Sequence, residues 1–135
     1  MKRPARVPER VDEVLSRLVA WPTVSSRPLD EMAAWLAQRA EDVGFDVSIQ
    51  RNAPGKCNIV ARRGPSGTDG LVISGHMDVV PTDGQSWSSD PFRLTEREGL
   101  LFGRGTADMK GFIAAVDRAL LTAAAQRFER ELVLI

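Results

Sequence analysis

The chain has 135 residues with eighteen basic and eighteen acidic side chains, a formal charge of zero, so nothing in the balance points to nucleic acid or to an anionic membrane surface. With 43% apolar residues it can bury the core of one modest domain, and it lacks the run of about eighteen uninterrupted apolar residues that would span a membrane. One cysteine, Cys57, excludes an internal disulfide; in a strand-like apolar run it reads as a buried thiol, and a reducing, cytoplasmic location is expected.

The opening "MKRPARVPER" is not expected to be a signal peptide, because Asp12, Glu13 and Arg17 interrupt the stretch that follows it. From Val7 to Ala20 the apolar residues Val7, Val11, Val14, Leu15, Leu18 and Val19 recur at spacings of three and four and predict a helix ended by Trp21-Pro22. A second helix is predicted from about Pro28, with Leu29, Met32, Ala33, Leu36, Ala40 and Val43 as its stripe and Gly44 as its stop. "FDVSIQ" alternates and reads as a half-exposed strand, and "CNIVARR" follows it across a Pro-Gly turn. After the loop "GPSGTDG", the continuous apolar run "LVIS" reads as a strand covered on both faces. A Pro, Gly and Ser-rich excursion from Pro81 to Pro91 leads through "GLLFGRGTADMKG" into a third helix, with Met109, Phe112, Ile113, Val116, Leu120 and Ala124 on its apolar face. The closing "RELVLI" has no turn signal or polar cap after it, which suits a strand in the middle of a sheet and the expectation that part of the domain lies beyond it. The alternation predicts a layered α/β fold, a mixed β-sheet flanked by helices.

In open α/β sheets, ligands bind outside the carboxyl ends of strands. His76, the one histidine in the chain, stands at such an end in "LVISGHMDVVPTDG". A lone histidine is most often a solvated side chain without a role. Asp78, two positions on, shares its side if the extended backbone persists, and its carboxylate can then accept the second imidazole N–H and orient a metal-bound ring. A catalytic zinc takes about three protein ligands, and the second candidate is Asp108 in "GRGTADMKG", placed by the backbone freedom of Gly103, Gly105 and Gly111. The plain alternative for Asp108 is a helix N-cap. A phosphate-binding loop is the weaker chemical reading, since Asp108 stands where G-x-G-x-x-G needs its third glycine and no G-K-[ST] follows. There is no G-x-S-x-G elbow and no cysteine-protease signature around Cys57. Arg104 and Lys110 could meet an anionic substrate, although solvated surface charge is the simpler expectation for each.

Three ordered motifs, "SGHMDVVP", "DGQSWSSDPF" and "GRGTADMKG", resemble those of the metal-dependent acyl-amino-acid hydrolases that include acetylornithine deacetylase, succinyl-diaminopimelate desuccinylase, aminoacylase and carboxypeptidase G. The resemblance runs from "LVAWPTVSS" to the last residue, and its wording is nearest to the acetylornithine deacetylase branch. It implies that His76 is a ligand of one metal ion, that Asp78 orients it, and that Asp108 bridges two divalent ions and is followed by a cis peptide, Asp108-Met109. Zinc is the metal implied, with cobalt or manganese suited to the same donors. The reaction implied is hydrolysis of a small N-acyl amino acid, with neither nucleic acid nor membrane as partner. The resemblance further implies that residues 1–135 are the N-terminal portion of a dinuclear zinc-hydrolase catalytic domain. On that view the general-base glutamate, further ligands and a lid domain that dimerises full-length relatives are absent, so this chain is nearly inactive and prone to self-association. Glu129 and Glu131 precede the last strand and are not candidates for the base.

Overall fold

The protein is described by a computed structural model covering residues 9–67 and 69–135; Val7 and most of the opening basic segment lie outside the described residues. Helix α1 runs Val11–Ala20, and the Glu13 carboxylate accepts the Arg10 main-chain N–H at 2.7 Å to close its first turn. Its stripe, Val14, Leu15, Leu18 and Val19, is almost wholly buried. Helix α2 runs Asp30–Asp42. At its end Gly44 adopts φ 86°, and the N–H groups of Gly44 and Phe45 donate back to Glu41 and Ala40, a Schellman stop that only glycine enters without strain.

Strands β1 (Asp46–Ala53) and β2 (Lys56–Arg63) form a hairpin about Pro54-Gly55, with Ile49 opposite Ile59. Strand β3 is Leu71–Ile73. The chain then makes a second, separate hairpin, β4 (Thr95–Arg97) and β5 (Leu100–Phe102), whose turn residues Glu98 and Gly99 both have positive φ, the geometry of a type I′ turn. Helix α3 (Gly111–Thr122) leads to β6 (Leu132–Leu134).

The main sheet has the order β1-β2-β6-β3, antiparallel except for the parallel pair β3 and β6. The closing apolar strand therefore does enter the middle of the sheet, as its composition predicts. The "LVIS" strand does not: β3 is an edge strand, with Leu71 and Val72 about 60% and 58% exposed. A run of apolar β-formers reports that both faces could be covered, not that a neighbour exists on each side.

Among the described residues, three apolar clusters hold the layers together, the smallest being Leu29, Ala33 and Cys57. Ala40 of α2, Val43 and Phe45 just after it, and Val116 and Leu120 of α3 pack with Ala61 and Leu132 on the sheet. Behind them Val14, Leu15, Leu18 and Val19 of α1 pack with Met32 and Ala114. Helix α3 is thus buried on two sides. Ala114 and Asp117 lie inside, whereas Phe112 of the predicted stripe is 44% exposed. Asp117 is tolerated there because Arg39 of α2 grips it with two hydrogen bonds, of 2.6 and 2.7 Å, so neither charge is left unpaired.

Candidate metal centre

His76 follows β3 directly. Its backbone neighbourhood is fixed by the segment after α1, which runs beside it: Val79 N–H donates to Thr23 O, Ser25 N–H donates to Val79 O, and Val24 bridges Val79 in parallel. The buried Thr23 hydroxyl donates to Met77 O at 2.8 Å, and the Ser25 hydroxyl donates to Asp78 Oδ2 at 2.9 Å. The extended course of residues 76–79 is thereby held, and His76 and Asp78 do lie on one side.

Asp108 arrives from the irregular turn Thr106–Lys110, in which Asp108 and Met109 leave helical dihedral values and the Asp108-Met109 peptide is cis. Gly105 enters this turn at φ 84°, with Val79 Cγ1 only 2.6 Å from where a Cβ would stand; the close approach of the two segments requires a glycine there. Met109 closes the gap from the other side, its Sδ accepting the His76 main-chain N–H at 3.3 Å.

The geometry brings His76 Nε2 within 2.9 Å of Asp108 Oδ1. On the opposite side of the ring, Nδ1 lies 2.9 Å from the main-chain oxygen of Asp78 and 3.4 Å from its Oδ1. The nearer partner is thus the carbonyl of Asp78 and not its carboxylate. A carbonyl only accepts, so Nδ1 carries a proton and donates it. Nε2 then faces a second acceptor, a carboxylate, at a distance that needs either a proton on Nε2 or a cation shared between them. Partial burial alone would lower the pKa of His76, but the Asp78 carbonyl and the Asp108 and Asp78 carboxylates outweigh it and raise the pKa above the ordinary histidine value.

The donor set fits part of a metal centre. An imidazole nitrogen and a carboxylate oxygen each about 2.0–2.1 Å from a tetrahedral zinc stand about 3.3 Å apart, so the pair at 2.9 Å would open slightly to take the ion. Asp108 is open to solvent, its side chain 85% exposed, and does not cap α3, which starts beyond it. Asp78 sits behind the ring and cannot ligate the same ion. Among the described residues no group of three or more His, Cys, Asp or Glu side chains could hold a metal ion, so two donors are supplied and no third.

Two charges expected at the surface are not there. Lys110 is fully buried; its ammonium donates at 2.7 Å to both Leu18 O and Trp21 O at the C-terminus of α1, and burial pulls its pKa down to about 8. Arg104 is half-buried, stacked over Trp87 with its centre 5.1 Å from the ring, and hydrogen-bonded to Gln85. Glu131, as expected, is remote from the pair: Leu71 N–H donates to its main-chain oxygen at the start of β3, the end of the strand opposite to His76, and its carboxylate meets Arg62. Thr23 and Ser25, and the buried role of Lys110, are not readable from the sequence because their hydrogen bonds join segments far apart in the chain.

Residues 72–135 match the family model described as peptidase family M20/M25/M40. The acetylornithine deacetylase of Proteus mirabilis is 43% identical over 116 residues, which cover 80% of this chain and 30% of that protein. That of Vibrio campbellii is 41% identical over 101 residues, 75% of this chain and 25% of that protein. Human carnosine dipeptidase 1 superposes with a TM-score of 0.80 at 28% identity, covering 92% of this chain and 30% of its own. An M20 family metallo-carboxypeptidase from Sulfolobus solfataricus gives 0.78 at 23% identity, covering 93% and 30%, a likeness of fold. The chain spans between a quarter and a third of the length of these relatives.

Proposed function

This chain belongs to peptidase family M20/M25/M40, and from that premise we propose that it carries the first ligands of a metal-dependent centre that hydrolyses N-acyl amino acids, with N2-acetylornithine as the substrate and acetate and ornithine as products. The observation that carries this reading is the meeting of His76 Nε2 and Asp108 Oδ1, two groups that want one cation between them. In this reading residues 9–135 are the N-terminal portion of the catalytic domain, and the lid and dimerisation elements lie outside them.

His76 and Asp108 would hold the ion, zinc by the chemistry of an imidazole and a carboxylate donor, with cobalt or manganese suited to the same pair. When bound, such an ion polarises the acyl carbonyl and lowers the pKa of a water. The chain's own residues serve this in defined ways. The Asp78 carbonyl keeps the proton on Nδ1, so that the Nε2 lone pair is left for an ion on the side of Asp108. The exposed second oxygen of Asp108 is available to a second ion. Glu131 stands at the opposite end of the β3–β6 pair, and the proton transfer from water to the leaving amine is therefore assigned to a base outside the described residues; a site without that base would be slower by about 10²–10⁴.

Zinc titration calorimetry on the wild-type chain and on His76→Ala and Asp108→Ala, with a deacetylation assay on N2-acetylornithine, tests the proposal. Zinc binding lost in both variants, with negligible turnover by the chain alone, is expected. Binding that persists unchanged in both variants contradicts the site.

A further inference from the structure

The two proposed ligands come from segments that touch one common element, the connection between α1 and α2. On one side, the Lys110 ammonium, two residues past Asp108, donates to Leu18 O and Trp21 O at 2.7 Å each. On the other side, the Thr23 hydroxyl donates to Met77 O, Thr23 O accepts from Val79, and the Ser25 hydroxyl donates to Asp78 Oδ2. The connection is itself pinned, because Lys56 of β2 donates to Ser25 O and Arg27 O at 2.6 and 2.8 Å. Residues Leu18 to Ser25 thus act as a shared template: one end sets where the Asp108 turn sits, and the other sets the His76 loop.

We propose that Lys110 and Thr23 are positioning residues, which act through the Leu18–Ser25 connection to fix the separation of His76 and Asp108. Neither touches the ion in this account, and the inference rests on the reading of His76 and Asp108 as metal ligands. Burial makes both effective. Thr23 is 3% exposed and Lys110 fully enclosed, so their hydrogen bonds have no water to replace them, whereas the Ser25 bond is exposed and contributes less.

The test uses the 135-residue chain and its single histidine, which makes the imidazole nitrogen signals unambiguous. Lys110→Met keeps the apolar stem and removes the ammonium; Thr23→Val removes only the hydroxyl, and Thr23→Ser restores it. Leu120→Ala, in the sheet cluster away from the site, controls for lost stability. In the metal-free protein at fixed pH, Lys110→Met and Thr23→Val are expected to shift the Nε2 resonance, as its contact with Asp108 loosens. Both are expected to weaken zinc binding about tenfold. Thr23→Ser and Leu120→Ala are expected to retain the wild-type spectrum and affinity. Should Lys110→Met fail to fold, the Thr23 pair decides alone. Wild-type spectra and affinities in the folded Thr23→Val variant, or an equal loss in Leu120→Ala, overturn the proposal. Zinc binding that survives His76→Ala overturns the metal reading instead, and the metal-free spectra still decide on positioning.

Discussion

Replacing Asp78 by alanine separates two ways of orienting a metal-bound histidine. If the carboxylate did the orienting, its loss would release the ring, and zinc affinity would fall through the range of about 10–100-fold seen for outer-shell partners. The structure places the Asp78 carbonyl at 2.9 Å from Nδ1 and the carboxylate Oδ1 at 3.4 Å, with that side chain 43% exposed. The shorter bond belongs to the backbone and survives the substitution. The longer, solvated contact contributes at most about 1 kcal/mol, as exposed ion pairs do, so the loss is predicted at about fivefold or less, tenfold being about 1.4 kcal/mol. Competition against a chelator of known affinity measures it, and a nitrogen-proton correlation spectrum should show the proton still on Nδ1. A hundredfold loss, or a move of the proton to Nε2, would refute the assignment of the carbonyl as the principal orienting group.

Three further outcomes follow from the same contacts. Arg39→Met should destabilise the chain by about 3–5 kcal/mol in urea, because it strands the buried Asp117 charge, and Asp117→Leu by less, because Arg39 keeps Glu9 at 2.8 Å; the double variant should recover most of the Arg39→Met loss, and additive losses would contradict the pairing. Burial raises the Cys57 thiol above its ordinary value, with Asp30 adding to it. The unfolded chain then loses that proton first as pH rises, so stability present below about pH 9 should decline above it; Cys57→Ala should lack this decline in urea melts compared at neutral and alkaline pH. Finally, the β3 edge exposes the apolar Leu71 and Val72, a surface prone to strand pairing, so the chain should self-associate with concentration in sedimentation, and Val72→Lys should reduce that association.

The helices and the β1–β2 hairpin were legible in the sequence because they rest on local periodicity and on turn residues: Leu18 and Val19 fall inside α1, and Gly44 stops α2, for reasons contained within one or two turns. What the sequence hid is non-local. Leu71 and Val72 look like a central strand until the sheet order leaves one side of β3 without a neighbour. Lys110 looks like surface charge because its two acceptors, Leu18 and Trp21, lie 92 and 89 residues away. The place of Lys110 in the row Lys110, Ala114 and Asp117, one face of a helix at spacings of four and three, was the signal available, but two charged members disguised it. For the site, spacing proposed the pairing of His76 with Asp78, the flanking glycines made Asp108 the second candidate ligand, and its bridging role came from motif resemblance. The contribution of the Asp78 main chain had no trace in side-chain identity at all.

Whether one imidazole and one carboxylate, from His76 and Asp108, share a metal ion is decided by X-ray absorption at the zinc edge of the zinc-loaded chain. Nitrogen and oxygen neighbours are expected, with the outer-shell scattering of a single imidazole that is absent in His76→Ala. A sulfur neighbour from Cys57, or a first shell without imidazole in the wild-type chain, would contradict that sharing.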